Sequence, residues 1–376
     1  MKIVVNARGS HAETVTNLLR EPFSLLIKSN QQHQFIFLSD RGALLWLPED
    51  ANIIKPDLGA KHVHPVLAGW WQYYRLPVLL KKYRPDVLVN INGSCCMRTN
   101  IPQLLMLGDQ CILQLKTHKH HVNFLLGYKK RSRSNLVASL QKAGVVTVVS
   151  SSAKKELVRL FGTSPEKIFI TAIPSQEYYT PLSWEEKELV KAEFTNGKEY
   201  FLYHGPIHPG QNILNLLKGF SLFKKRQQSN MQLVLAGKIN WPDDGFEKKL
   251  NSYKFRSAVV LQPSLTQEIM VKLTGAAYAL INPANEKGFH RPQLQAMGCG
   301  VPVISAAVDA EPGDDAVLKI PGESPAEIAS QMMLLYKDEH LRNQLIAKGN
   351  DEKEKYDANK TAAIIWTCIT QAVKTH

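Results

Sequence analysis

Residues 286–305 are the part of this chain in which residue types and spacing come closest to a chemical site. They read Glu-Lys-Gly-Phe-His-Arg-Pro-Gln-Leu-Gln-Ala-Met-Gly-Cys-Gly-Val-Pro-Val-Ile-Ser. A polar loop leads into a short helix, from about Pro292 to Met297, and a Gly-Cys-Gly turn separates this helix from the apolar strand Val301–Ser305. Free backbone N–H groups at the start of a helix attract anions, as does the helix dipole. The pattern therefore predicts an anion-binding loop in a parallel α/β sheet.

The same segment resembles the signature of family 4 (group 1) glycosyltransferases of the GT-B type, E-G-F-G-x-P-x-x-E-A-M-x-C-G-x-P-V-I. The matching positions are Gly288-Phe289, Pro292, Ala296-Met297, Cys299-Gly300 and Pro302-Val303-Ile304. The resemblance implies a retaining enzyme that moves a sugar from a nucleotide-sugar to a glycan or lipid-linked acceptor. It implies no cofactor and no metal ion, because arginine, lysine and backbone N–H groups offset the charge of the departing diphosphate.

The length of the chain favours two domains, because 376 residues exceed the usual size of a single hydrophobic core. Strand-length apolar segments alternate with helical segments in both halves, which predicts α/β domains with doubly wound parallel sheets. The resemblance adds the GT-B fold, in which two Rossmann-like domains are followed by a C-terminal helix that returns to the first. On this interpretation residues 1–180 and about 360–376 form the acceptor-side domain, and residues 181–359 form the nucleotide-sugar-side domain.

The individual strands follow from the same alternation of patterns. Those predicted in the first domain are Ile3–Asn6, Gln34–Leu38, Val87–Asn90, Leu104–Leu107, Val145–Ser150 and Lys167–Thr171. Those predicted in the second are Tyr200–His204, Gln232–Ala236, Ala258–Leu261, Ala277–Ile281, Pro302–Ser305 and Ala316–Lys319. Ser150 is expected to cap a helix at Ala153–Phe161, and the chain is expected to end in helices at Pro325–Lys337 and roughly Asp351–Val373.

Several polar residues of the family are replaced in this chain. The family places an arginine and a lysine in the loop after the first strand of the second domain, and here that loop reads Pro209-Gly210-Gln211-Asn212. Lys287 and Gln295 stand where the family has its two glutamates. Further replacements fall at Thr14 and Thr16, in an expected glycine-rich turn, and at Gly108, Ser151 and Ile173-Pro174. Because loss of one such stabilising group typically lowers a rate by about 10²–10³, these replacements predict reduced or lost catalysis.

The residues that remain define candidate roles on the basis of the resemblance. Glu286, one position before Lys287, and Asp109, which follows Gly108, are the candidate catalytic residues. The candidates for binding the donor or another anion are Gly205, His208, Lys238, Lys287, Gly288, Phe289, Arg291 and Gln295. The expected ligand is a nucleotide-sugar or a phosphorylated sugar. The alternative is a solvated loop whose cations face water.

A second basic cluster lies in the first domain. Lys129, Lys130 and Arg131 follow the apolar stretch Val122–Leu126, and three histidines and two lysines precede it within residues 116–121. Basic residues beside an apolar segment suit an acceptor-side surface that touches anionic lipid. An ordinary basic surface helix is the alternative.

Composition narrows the class of protein. The net charge of +13 favours anionic partners. However, no nucleic-acid-binding module is recognisable, so nucleic acid is not expected as a partner. Five cysteines, including the adjacent pair Cys95-Cys96, show neither a disulfide framework nor metal-ligand spacing. Together with an N-terminus that reads as a strand and the lack of a long apolar run, this favours a cytoplasmic protein, either free or peripheral on the inner face of a membrane.

Two functional hypotheses remain open on the sequence. The first is a sugar transferase with an unusual donor site, in which Glu286 and Lys238 are the residues to test. The second is a catalytically inactive relative that acts as a binding or scaffold subunit in glycan assembly, together with an active paralogue.

Overall fold

The computed structural model describes residues 1–8, 12–40, 46–47, 50, 52–58, 70–91, 93–108, 126–241, 243–285, 287–307 and 310–375. Within these ranges the side chains of residues 12–19, 126–132, 310 and 314 are not described. The chain divides into two compact units, one of residues 1–174 and 357–376, the other of residues 175–356. The domain boundaries suggested by the sequence lie at residue 180 and about residue 360.

The described strands and helices alternate through both units. The strands are Lys2–Asn6 (β1), Gln34–Leu38 (β2), Ile53–Ile54 (β3), Val87–Asn90 (β4), Gln103–Leu107 (β5), Val145–Val148 (β6), Ile168–Ile170 (β7), Tyr200–His204 (β8), Gln232–Ala236 (β9), Val259–Gln262 (β10), Ala279–Asn282 (β11), Gly288–Phe289 (β12), Val303–Ser305 (β13), Ala310–Glu311 (β14) and Val317–Lys319 (β15). The helices are Ala12–Ser29 (α1), Leu76–Tyr83 (α2), Leu126–Lys142 (α3), Ser151–Phe161 (α4), Trp184–Thr195 (α5), Ile213–Gln227 (α6), Gly245–Asn251 (α7), Gln267–Gly275 (α8), Arg291–Gly298 (α9), Pro325–Lys337 (α10), Glu339–Lys353 (α11) and Ala358–Lys374 (α12).

Each unit is built on one parallel sheet. The first unit has the strand order β3-β2-β1-β4-β5-β6-β7, and the second has β10-β9-β8-β11-β13-β15. In each sheet the chain starts near the middle, fills one side and then crosses to the other, which is the Rossmann arrangement. The prediction of two Rossmann-like, doubly wound α/β domains is confirmed.

The second sheet is covered on both faces, as β8 shows. Phe201 and Tyr203 pack in the core on the side of α6 and α10, while Tyr200 and Leu202 pack on the side of α9. Successive side chains of a strand point to opposite faces, so a central strand covered on both sides must be apolar throughout. This explains why the strand reads as a continuous apolar run in the sequence.

Helices near the two ends of the chain differ in part from expectation. A helix was expected from roughly Asp351 to Val373; it is present as α12, but its expected start is wrong, because α11 ends at Lys353 and α12 begins at Ala358. The break has a local cause, since the Asp357 side chain caps α12 by accepting a hydrogen bond from the backbone N–H of Lys360 at 2.8 Å. Thr14 and Thr16, expected in a turn, lie inside α1.

Helix α12 belongs to the first unit, as the resemblance implied. It packs on α1 and on β4, β5 and β6. The Thr361 hydroxyl donates to the backbone oxygen of Ala172 at 3.2 Å, and the indole of Trp366 stacks on the ring of His33 with centroids 5.1 Å apart. The prediction of a C-terminal helix that returns to the first domain is confirmed.

Candidate functional site

The candidate site occupies the carboxyl edge of the second sheet. Three loops leave this edge after paired strands: residues 205–212 after β8, residues 237–238 after β9 and residues 283–290 after β11. In open parallel sheets ligands bind at this edge. The topology therefore brings to one edge the loops that carry Gly205, His208, Lys238 and Lys287, together with Arg291 at the start of the following helix, all of which the sequence predicted as binding residues.

The first two loops are fixed to each other through the backbone. The N–H of Gly205 donates to Ala236 at 3.0 Å, and the N–H of Ile207 donates to Lys238 at 2.9 Å. An added Cβ at Gly237 would lie 1.9 Å from the carbonyl oxygen of Gly205. Gly205 thus holds the two loops together, and its N–H is not free to bind a phosphate.

Asn212 ties the β8 loop to two other loops. Its side-chain amide donates to the backbone oxygens of Pro283 at 2.9 Å and Glu323 at 3.0 Å. The Glu323 carboxylate in turn accepts the N–H of Asn285 at 2.8 Å. In this loop, where the family has an arginine and a lysine, the neutral side chain of Asn212 therefore makes hydrogen bonds that hold neighbouring loops. Glu323 was not predicted from the sequence, although its place directly before the capping box of α10 at Ser324 could have located it.

His208 has a local structural role. Its Nδ1 accepts the backbone N–H of Gly210 at 3.1 Å, which starts the helical turn Pro209–Gln211. The Nε2 atom of this exposed ring is then the one that can donate to an anion.

The start of α9 is held by the residues that precede it. Gly288 and Phe289 form β12 and pair with Ala310 and Glu311 of β14, and the N–H of His290 donates to the backbone oxygen of Glu311 at 2.6 Å. The side-chain amide of Asn282 lies 3.2 Å from Nδ1 of His290. These contacts set the position of the first residue of the helix, Arg291.

Arg291 is the most informative side chain of the site. The residue is partly buried, and its Nε atom is inaccessible and has no hydrogen-bond partner in the part of the chain that the structure describes. Among the residues that the structure describes, no carboxylate pairs with its guanidinium. A cation at the positive end of a helix dipole is also unfavourable. The guanidinium is therefore placed where an anion would stabilise it.

Two titratable groups beside Arg291 were not found from the sequence. Burial, with a smaller contribution from the positive charge of Arg291, lowers the pKa of His204 to about 4. Burial raises the pKa of the Tyr179 phenol, and Arg291 acts in the opposite direction. His204 ends a parallel strand at the carboxyl edge, a position that could have marked it in the sequence.

Gln295 lies one helical turn further along α9. Its side-chain N–H donates to the side-chain oxygen of Gln176 at 3.0 Å, while its own Oε1 is buried without a partner. Gln293, on the same helix, likewise donates to the Ser305 hydroxyl at 2.8 Å and leaves its Oε1 unpartnered. The helix therefore carries two amide oxygens that can still accept hydrogen bonds.

The remaining candidates are less well defined. Lys238 and Lys287 are exposed, on the β9 and β11 loops. Glu286 and Asp109 lie outside the described residues. Lys129, Lys130 and Arg131 fall on the backbone of α3, but their side chains are not described. Within the described part of the chain, no helix is long and apolar enough to cross a bilayer and no cluster of His, Cys, Asp or Glu could hold a metal ion.

Comparison with known proteins gives the lineage of the second unit. The sequence model of the family "Glycosyl transferases group 1" matches residues 185–352. The O-antigen chain mannosyltransferase B of Escherichia coli is 26% identical over 263 residues, which are 69% of this chain and 66% of that protein. The chain thus spans slightly less than two thirds of the length of this relative.

Solved structures resemble the whole chain. Sucrose-phosphate synthase from Thermosynechococcus elongatus superposes with a TM-score of 0.76 at 13% identity, covering 100% of both chains. The Anabaena protein Alr3699/HepE in complex with UDP gives a TM-score of 0.72 at 14% identity, covering 98% of this chain and 100% of that one. At such identities the likeness shows the fold, and the family match and the curated relative supply the lineage. Residues 185–352 therefore match the family of group 1 glycosyl transferases, and the chain has the GT-B fold.

Proposed function

We propose that this protein transfers a sugar from a nucleoside diphosphate sugar to a glycan or lipid-linked acceptor at a reduced rate. In this proposal the second unit holds the diphosphate. The observation that carries it is Arg291, a partly buried guanidinium at the start of α9 whose Nε has no partner. The similarity to a mannosyltransferase favours mannose as the transferred sugar.

A diphosphate would remove both costs of placing Arg291 at this position. Burial of a cation without an acceptor is unfavourable, and so is a positive charge at the start of a helix. The planar guanidinium matches phosphate oxygens in a bidentate manner, and the helix start adds backbone N–H donors. The loops that carry the exposed Lys238 and Lys287 leave the same sheet edge and can supply further positive charge.

The reduced rate follows from the loop after β8. Departure of a nucleoside diphosphate develops negative charge, which cations in this loop normally stabilise. Here the loop from Pro209 to Asn212 has no cation, and the Asn212 amide is engaged with Pro283 and Glu323. We assign the acid–base and electrostatic roles near the sugar to Glu286 and Asp109, as the resemblance implies.

The contact between Gln295 and Gln176 favours a second candidate function. Gln295 stands where the family grips the ribose, and its side-chain N–H is already donated within the unit at 3.0 Å. A protein that binds the nucleotide portion without turnover would serve as a binding or scaffold subunit beside an active glycosyltransferase.

Nucleotide binding to an Arg291→Ala variant tests the proposal. Isothermal titration calorimetry with UDP, GDP, UDP-glucose and GDP-mannose should show that the wild-type protein binds at least one of them. The variant should bind that ligand about 10–100-fold more weakly, because a lost charged hydrogen bond costs roughly 1.5–3 kcal/mol. The matched control is Arg226→Ala, which removes an exposed arginine at the far end of α6, on the other edge of the sheet.

The same measurements decide between the two functions. If no ligand binds at millimolar concentration, or if Arg291→Ala binds as tightly as the wild type, the donor site proposed for this unit is wrong. Release of nucleoside diphosphate that depends on a glycan acceptor and is lost in Glu286→Gln supports the transferase. Nucleotide binding without any release supports the scaffold subunit.

A further inference from the structure

The first unit contains a pocket of about 820 Å³ at one edge of its sheet. Its lining comes from the end of α2, from the Arg84-Pro85 turn before β4 and from residues 97–101 before β5. These segments precede their strands, so the pocket lies at the amino edge of the parallel sheet. Sugar transfer in this fold is expected at carboxyl edges, so the pocket requires a separate explanation.

The lining combines an apolar floor with a cationic rim. Leu80 and Ile101 supply apolar surface, and Lys81, Arg84 and Arg98 supply positive charge. No acidic residue occurs among the lining residues or anywhere in residues 70–85. The side chains of Lys81 and Arg84 form no ion pair with any described residue. The lining residues therefore carry a net positive charge, and the nearest carboxylate along the chain, that of Asp86, accepts the backbone N–H of Lys2 at 2.7 Å.

Neighbouring rings hold the third cation. The guanidinium carbon of Arg98 lies 5.2 Å from the ring centroid of Tyr74 and 6.0 Å from that of Tyr73. Its Nη1 lies 3.5 Å from the backbone oxygen of Tyr73. Such stacking orients a guanidinium without neutralising its charge, which leaves N–H groups for an anionic ligand.

The backbone of Arg84 is in a conformation that arginine disfavours. The residue caps α2 in the left-handed region, with φ 48° and ψ 59°, and its N–H donates to Leu80 at 2.9 Å. Glycine or asparagine usually occupies this position, and another side chain costs about 1–2 kcal/mol. Strain of this kind points to a role for the side chain, which here lines the pocket.

We propose that this pocket binds a phosphate-bearing group. Its volume lies within the range of about 300–1,000 Å³ that small-molecule sites occupy, and three cations in one pocket suit the charge and oxygen atoms of a phosphate. A phospholipid head group and a soluble phosphate ester share this chemistry. The adjoining surface carries the exposed side chains of Trp70, Tyr74 and Val78, which are 51%, 57% and 62% accessible. Amphipathic rings beside cations are typical of surfaces that meet a lipid interface.

Two probes distinguish the sources of the phosphate. Glycerol 3-phosphate, titrated calorimetrically into the full-length protein, represents a soluble ester. Vesicles of phosphatidylcholine with about a third phosphatidylglycerol, compared with pure phosphatidylcholine in a flotation assay, represent a lipid head group, because anionic lipid adds electrostatic attraction. Binding of either probe that depends on the pocket supports the proposal, and the probe that binds identifies the source.

Neighbouring lysines supply the matched control. Lys81 lines the pocket, whereas Lys82, the next residue of α2, does not and lies over the ring of Tyr83 at 5.4 Å. Lys81→Ala and Arg98→Ala should each weaken binding about tenfold, and Lys82→Ala less than twofold. Equal losses for Lys81→Ala and Lys82→Ala, or no binding of either probe to the wild type at millimolar ester or lipid, would overturn the proposal.

Arg84→Gly separates binding from folding. The variant removes the guanidinium and also relieves the left-handed backbone strain, so its melting temperature should equal or exceed that of the wild type. We expect it to lose phosphate binding about tenfold while retaining nucleotide binding to the second unit. If its phosphate binding is unchanged, the pocket is not the site.

Discussion

Gly237→Ala should destabilise the second unit by about 3 kcal/mol or more, the largest effect that we expect from any single methyl group in this site. The new Cβ would lie 1.9 Å from the carbonyl oxygen of Gly205, and the backbone has a positive φ of 147°. Neither backbone segment can shift easily to relieve the clash, because the N–H of Gly205 donates to the backbone oxygen of Ala236 and that of Gly237 donates to the backbone oxygen of Gln262. Urea denaturation, combined with hydrogen exchange of β8 and β9 peptides, would measure the loss.

A second glycine, Gly197, provides a control that separates the effect of the steric clash from the effect of a positive φ. Gly197 has φ 72°, yet no atom lies within 4 Å of a Cβ added there. Gly197→Ala should therefore cost only the left-handed strain, about 1 kcal/mol. Equal losses in the two variants would show that the contact between the β8 and β9 loops is not the constraint that we describe.

The stability of the second unit should fall by up to about 3 kcal/mol between pH 6.5 and pH 4 because of His204. Its pKa in the folded protein is lowered to about 4 from the ordinary value of 6.5. Between these values the unfolded chain binds a proton at His204 and the folded protein does not. Acidification therefore favours the unfolded state, and the contribution of His204 is fully present above pH 6.5.

His204→Phe provides the comparison for this pH dependence. The variant keeps an aromatic ring of similar size but cannot titrate, and Nδ1 of His204 has no hydrogen-bond partner to lose. Urea denaturation at several values between pH 4 and pH 7.5 should show a steeper loss of stability in the wild type than in His204→Phe. Parallel curves would mean that other groups control the acid response.

Much of the fold could be predicted from local patterns. Strands such as Gln34–Leu38, Tyr200–His204 and Gln232–Ala236 appear in the structure with the predicted bounds. Parallel strands that are buried on both faces are continuous apolar runs, which stand out in a sequence. The expected cap is also present, since Ser150 accepts the N–H of Ala153 at 3.1 Å.

The helix at the C-terminus shows where local patterns fail. The sequence from Asp351 to Val373 is helical in character throughout, yet the chain leaves α11 at Lys353 and starts α12 at Ala358. The first helix packs in the second unit and the second helix in the first unit. Asp357 caps the second helix locally, whereas the placement of the two helices in different units depends on packing against residues distant in sequence, which intrinsic helix propensity does not report.

The candidate site divides in the same way. The residue types of the signature segment indicated the family and the substitutions Lys287 and Gln295, and those of the Pro209–Asn212 loop showed its missing cations, because these depend only on order along the chain. The contacts of the site join residues far apart in sequence. Gln295 meets Gln176, Asn212 meets the backbone of Glu323, and Arg291 lies beside His204.

Residue order and composition were sufficient for the lineage, the alternation of strands and helices and the loss of family charges. The lack of a carboxylate partner for Arg291 among the described residues, the lowered pKa of His204 and the cation-lined pocket around Arg84 became visible only in three dimensions. The physical reason is that burial, the distance between charges and the presence of a hydrogen-bond partner are properties of packed surroundings, which segments remote in sequence create together.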